Sequence, residues 1–129
     1  MKITGLDHIT VNVKNLEKSK EFYGNVLHLK EAGFIHMGDH TLTYYELPQG
    51  VRLELIDYET REAAEDIKET NTGIYRHFCL AADRLYAVYE VCKEQGVFVR
   101  KTPSYVEKLG CQTMLITDPN GVEIEIIQR

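Results

Sequence analysis

What is scarce in this chain narrows the field first. Only three cysteines, Cys79, Cys92 and Cys111, occur in 129 residues. The number is odd and no two form a CxxC spacing, so neither a disulfide framework nor a zinc-finger site is indicated. Cys92 falls on the apolar side of a predicted helix and reads as core. Cys79, two residues after His77, shares its strand face, and a role there as soft ligand or reactive thiol ranks behind a packing role. Basic clusters are missing too. The net charge is −5, which leaves nothing to hold a nucleic-acid backbone. No apolar run approaches the roughly 20 residues needed to span a bilayer, and the N-terminus lacks a signal-peptide apolar segment. The expectation is a cytoplasmic protein with no membrane or nucleic-acid partner.

The composition that remains, 43% apolar and 27% charged, suits one soluble globular domain with a sizeable core. Its most informative feature is a repeat. The closing stretch Gly121-Val122-Glu123-Ile124-Glu125-Ile126-Ile127 echoes Gly50-Val51-Arg52-Leu53-Glu54-Leu55-Ile56. Both copies place a carboxylate inside an otherwise apolar strand, a costly position unless something pairs with it. A histidine stands at a similar distance ahead of each: His8 is 46 residues before Glu54, and His77 is 48 before Glu125.

The surrounding patterns repeat as well. Residues 6–13 alternate as a strand, with His8, Thr10 and Asn12 on one face. Asn15 offers a helix N-cap, and Leu16, Ser19, Phe22, Tyr23, Val26 and Leu27 follow at helical spacing. Strands are expected over 29–37 and 41–47, and Pro48-Gln49-Gly50 turns into the Glu54 strand. Residues 59–73 are the least hydrophobic, read as a solvated connector with room for a short exposed helix. A second series follows: a strand over 74–82, a helix capped by Asp83 and closed by Gly96, then strands beginning at Val97, Cys111 and Gly121. Asp118-Pro119-Asn120-Gly121 is expected to turn with positive φ at both Asn120 and Gly121. Aligning the halves on the histidines also sets Leu16 over Leu85. The fold class is therefore α+β: two tandem βαβββ modules, about 5–58 and 74–129, making a concave mixed sheet with helices outside.

Residues two apart on a strand share a face, so His8 with Glu54, and His77 with Glu125, can meet across neighbouring strands. Two imidazoles and two carboxylates suit one borderline divalent ion, with Zn, Ni or Co favoured and Fe or Mn also compatible, better than Ca. Such a set leaves room for water or substrate. The bland alternative is shared ancestry without retained function. His28, His36 and His40 have no repeat partner and read as surface residues.

The stretches LDHITVNVKNLEKSKEFYGNVL, VRLELIDY, YRHFCLAADRL and DPNGVEIEII resemble the vicinal oxygen chelate superfamily across nearly the whole chain. That superfamily includes glyoxalase I (lactoylglutathione lyase), extradiol dioxygenases and bleomycin-binding proteins. The resemblance implies metal ligands at His8, Glu54, His77 and Glu125, the glyoxalase I set. It also implies a lyase or isomerase acting through an enediolate on a small vicinal-oxygen substrate, such as a thiol–methylglyoxal hemithioacetal. Glu125 would be the base, with Glu54 the second candidate. Asn12 and Tyr58 stand where bacterial glyoxalase I enzymes carry Arg and Asn to hold glutathione. With Arg52 and Lys108 they are the candidate substrate contacts, and a homodimer is the expected assembly. The alternatives are an Fe(II) extradiol-type dioxygenase, a non-catalytic antibiotic-binding protein using Tyr44, Tyr45, Tyr58 and Tyr105 as stacking surface, and thiol addition to fosfomycin.

Overall fold

The computed structural model describes all 129 residues. It divides into two compact units, Met1–Arg61 and Glu62–Arg129. The first contains β1 (His8–Asn12), α1 (Leu16–Lys20) continuing as a π-helical turn (Glu21–Val26), β2 (Lys30–His36), β3 (His40–Glu46) and β4 (Arg52–Tyr58). The second contains β5 (Phe78–Ala81), α2 (Leu85–Glu94), β6 (Phe98–Val106), β7 (Cys111–Thr117) and β8 (Glu123–Gln128). Each unit is a βαβββ module with a four-stranded sheet, ordered β1-β4-β3-β2 in one and β5-β8-β7-β6 in the other. The first strand runs parallel to the last, and the other pairs are antiparallel.

Each helix covers one face of its sheet. In unit 1, Val11, Leu53, Leu55 and Tyr45 point to that side and are buried with Ser19, Phe22, Tyr23 and Val26. The rings of Tyr23 and Tyr45 lie 6.4 Å apart. In unit 2 the equivalents are Phe78, Ile124, Ile126, Met114 and Ile116, with Leu85 and Cys92 from the helix. Because side chains alternate across a strand, the His–Glu residues are turned to the opposite faces.

Burial pushes the Tyr45 hydroxyl up to about 12, with the Glu31 and Glu17 carboxylates adding to it. Burial also pushes the Cys92 thiol up to about 11. Both groups keep their proton more tightly when folded, so the unfolded chain ionises first as pH rises. Their contribution is complete below the unfolded values, near 9 for Cys92 and 10 for Tyr45, and is lost as pH climbs through 11 and 12. Two pKa units correspond to about 3 kcal/mol. Alkaline unfolding is expected to set in above pH 9, and Tyr45→Phe should flatten the limb above pH 10 in urea melts run against pH.

Several local expectations are corrected. The His77 strand is shorter than 74–82, because Phe78 pairs with Ile124 near the start of β8 and residues 74–77 have no partner strand. Asp83 does not cap α2; Arg84 occupies that position without a side-chain cap. Instead Leu85 N–H donates to Gln128 Oε1 at 2.7 Å, so the helix is capped from the last strand. The connector is solvated as expected, and the short helix it had room for does not form. The turn at Asp118 has positive φ only at Gly121, and the Asp118 carboxylate accepts from the backbone N–H groups of Asn120 and Val122. Paired positive φ occurs in the first module instead, at Gln49 and Gly50. The strand expected from Val97 starts at Phe98 and continues to Val106, across Pro103. Pro103 is tolerated there because β6 is an edge strand and its register shifts between Lys101 and Ser104.

The helices end alike. Gly96 has φ +69°, and its counterpart His28 has φ +56°. A side chain in that left-handed region is strained, whereas glycine is not. His28→Gly is therefore expected to stabilise the chain by about 0.5–1 kcal/mol, read as a higher urea midpoint at unchanged slope.

Candidate functional site

Strand register builds the site in each unit. In unit 1, His8 lies opposite Arg52 and Thr10 opposite Glu54 on the parallel ladder, while Tyr44 flanks Glu54 from β3. Glu54 is only 8% exposed. One carboxylate oxygen accepts from Thr10 Oγ1 at 3.1 Å and the other from the Tyr44 hydroxyl at 2.6 Å. That bond, then burial, raises the Tyr44 hydroxyl above its ordinary value. The Arg52 guanidinium stands over the Tyr44 ring, 5.3 Å from its centre.

His8 is oriented from the other side. Its Nδ1 lies 2.7 Å from Asp7 Oδ2. That hydrogen bond is the main cause of its raised pKa, and the Glu54 charge adds to it. With Nδ1 donating to Asp7, Nε2 keeps its lone pair, the carboxylate–imidazole arrangement that commonly steers a histidine ligand.

Unit 2 repeats the frame with different neighbours. Cys79 and Leu115 flank Glu125 as Thr10 and Tyr44 flank Glu54. His77 Nε2 lies 3.0 Å from Glu125 Oε2. Its Nδ1 is buried without a hydrogen-bond partner, a cost a resting structure avoids unless the ring serves another purpose. Burial, and secondly Glu125, pushes the Cys79 thiol up to about 11 although the residue as a whole is exposed. It is therefore protonated at neutral pH, which argues against a nucleophilic role.

Neither Glu54 nor Glu125 pairs with a lysine or arginine; their side-chain partners are hydroxyls and an imidazole. Imidazole nitrogen beside carboxylate oxygen without a fixed cation is a donor chemistry that fits a borderline divalent ion. The residues fit it as two half-sets, one per unit. No three His, Cys, Asp or Glu side chains are gathered at one point.

Among the candidate substrate contacts, Asn12, Arg52 and Tyr58 share the face of His8 and Glu54 by register. Lys108 lies in the exposed turn joining β6 to β7, outside both strands. His40 was expected at the surface. It is half-buried on the Glu54 face, with its ring 4.8 Å from that of Tyr58. A groove of about 540 Å³ lined by Lys20, Gly24, Glu31 and Tyr45 is on the helix side, away from the His–Glu face.

Sequence reasoning missed the partners of Glu54, though a signal existed: Tyr44 and Glu54 stand equidistant from Gln49 at the hairpin turn, the spacing that sets residues opposite each other. It also missed a charge cluster in unit 2. Arg100 bridges Glu123 at 2.8 Å and Glu69 at 3.0 Å, and Arg76 pairs with the same two carboxylates. This cluster ties the acidic connector to the sheet.

The geometry has counterparts among known proteins. A family model described as the Glyoxalase/Bleomycin resistance protein/Dioxygenase superfamily matches residues 5–126. The chain belongs to that superfamily. A lactoylglutathione lyase of Neisseria meningitidis is 28% identical over 135 residues, covering 95% of this chain and 88% of the relative. Among solved structures, a glyoxalase family protein from Enterococcus faecalis superposes with a TM-score of 0.80 at 19% identity, covering 98% of this chain and 99% of that one. TnmS3, an antibiotic-binding protein from Streptomyces, superposes at 0.76 with 21% identity, covering 99% and 98%. The glyoxalase superfamily thus accounts for the duplicated βαβββ architecture, while its members include both enzymes and binding proteins. No helix of the chain is long and apolar enough to cross a membrane.

Proposed function

We propose that this chain is a divalent-metal-dependent lyase or isomerase of the glyoxalase I type. Its substrate would be a small molecule with two adjacent oxygens, such as a thiol–methylglyoxal hemithioacetal. The observation that carries the reading is a recurring offset: each glutamate lies opposite the residue two places after its histidine, Thr10 opposite Glu54 and Cys79 opposite Glu125, and neither glutamate has a lysine or arginine partner. The likeness to lactoylglutathione lyases supports it.

The proposed ligands are His8, Glu54, His77 and Glu125. When bound, the ion would supply Lewis-acid polarisation of the substrate oxygens and the counter-charge the carboxylates lack. Glu125 takes the proton from the carbon bearing one oxygen and returns it to its neighbour, the work of a general base followed by a general acid. Glu54 is the second candidate for that step. Asn12, Arg52 and Tyr58 meet the rest of the substrate, and Lys108 attracts an anionic end of it. The same proposal has the protein acting as a cytoplasmic homodimer.

The test is turnover of the hemithioacetal formed from methylglyoxal and glutathione, before and after EDTA. Turnover lost to EDTA and restored by nickel, cobalt or zinc is expected. Turnover indifferent to EDTA, or iron-dependent O₂ consumption with a catechol instead, would contradict it.

A further inference from the structure

The two carboxylates are duplicates in sequence but not in surroundings. Glu54 has a hydroxyl on each oxygen, Thr10 Oγ1 at 3.1 Å and Tyr44 Oη at 2.6 Å. At the same register positions around Glu125 stand Cys79 and Leu115. Leucine donates nothing, and the Cys79 thiol points to the Leu80 carbonyl, with Sγ 3.9 Å from that oxygen. The side-chain partner of Glu125 is His77, itself half of the candidate site, and its side chain is 21% exposed. Glu54 is more deeply buried, and the Tyr44 ring that holds it is pinned beneath Arg52.

We propose that Tyr44 and Thr10 are positioning residues that fix Glu54 as the carboxylate that does not leave the ion. The module that lacks them leaves Glu125 free to move. Hydrogen bonds from two neutral donors hold a carboxylate's orientation without neutralising it, so Glu54 stays a full-strength anionic ligand. Swinging away would break the hydrogen bonds from both Thr10 and Tyr44 to a carboxylate that is only 8% exposed, whereas Glu125 gives up one contact, to an imidazole. The asymmetry assigns two roles to a sequence that writes the same residue twice. It rests on the metal reading above.

The experiment is a Co²⁺ titration of the full chain, followed by calorimetry and by the visible Co²⁺ spectrum, with thermal unfolding recorded for every variant. Tyr44→Phe and Thr10→Val are each expected to weaken Co²⁺ binding about 10- to 100-fold, the usual effect of losing an outer-shell partner, and to alter the Co²⁺ spectrum. Thr10→Ser, which keeps the hydroxyl, should bind as the unaltered chain does. Cys79→Val, the same replacement in the other module, should change affinity by less than about twofold. Folded Tyr44→Phe and Thr10→Val proteins with unchanged affinity and spectrum would overturn the positioning role, even if their melting temperatures fall. Absence of Co²⁺ binding by the unaltered chain would instead remove the metal reading, and this proposal with it.

Discussion

Glu125→Gln should keep the ion and lose turnover by a factor of about 10² to 10⁴, the span of a general base's contribution. Glutamine has nearly the shape of glutamate and retains an oxygen donor, but its amide does not accept a proton near neutral pH. The Glu125 side chain is the one to test first because the structure leaves it the freer of the two carboxylates, held only through His77 at 3.0 Å. Metal content by elemental analysis, measured on the same preparation as kcat, separates a lost ligand from a lost base. A variant of full activity would rule Glu125 out of the proton transfer.

Leu85→Ala is expected to cost about 2–5 kcal/mol, the range for truncating a fully enclosed leucine. Leu85 has no exposed surface; it opens α2 and lies on the buried face that also carries Cys92. Its counterpart Leu16 opens α1 but is only partly buried, so Leu16→Ala should cost distinctly less. Urea unfolding of both variants checks the pair. Equal losses would mean that the modules do not bury their helices as unequally as the structure has it.

The repeat made most of this fold legible before any coordinates. Helix spacing from Leu16 and Leu85, strand alternation around His8, and the Gly-Val-x-x-Glu strands are local signals, and each produced the element expected of it. The departures share a cause, which is that the deciding partner lies far along the chain. Gln128 caps a helix 43 residues earlier, and Asp83 loses that role to it. The His77 strand shortens because its partner strand gives out, a fact about β8 rather than about residues 74–77. At the Asp118 turn a side-chain carboxylate organises the backbone, so Asn120 does not need positive φ.

The candidate site was half legible. The four His and Glu positions come from the repeat; register turns His8, Glu54 and Glu125 to the sheet face away from the helix, and His77 stands beside Glu125 just before β5. What surrounds them depends on register. Thr10 read as an ordinary strand residue and Tyr44 as stacking surface, yet both grip Glu54. His40 reads as a surface residue, yet it stands half-buried beside Tyr58.

Stoichiometry tests the central claim most directly: calorimetric titration of the metal-free chain with Co²⁺, alongside His8→Ala and His77→Ala. The account predicts one ion per chain, with either single substitution abolishing tight binding. Two ions per chain, or a His77→Ala protein that still binds one ion as tightly as before, would contradict it.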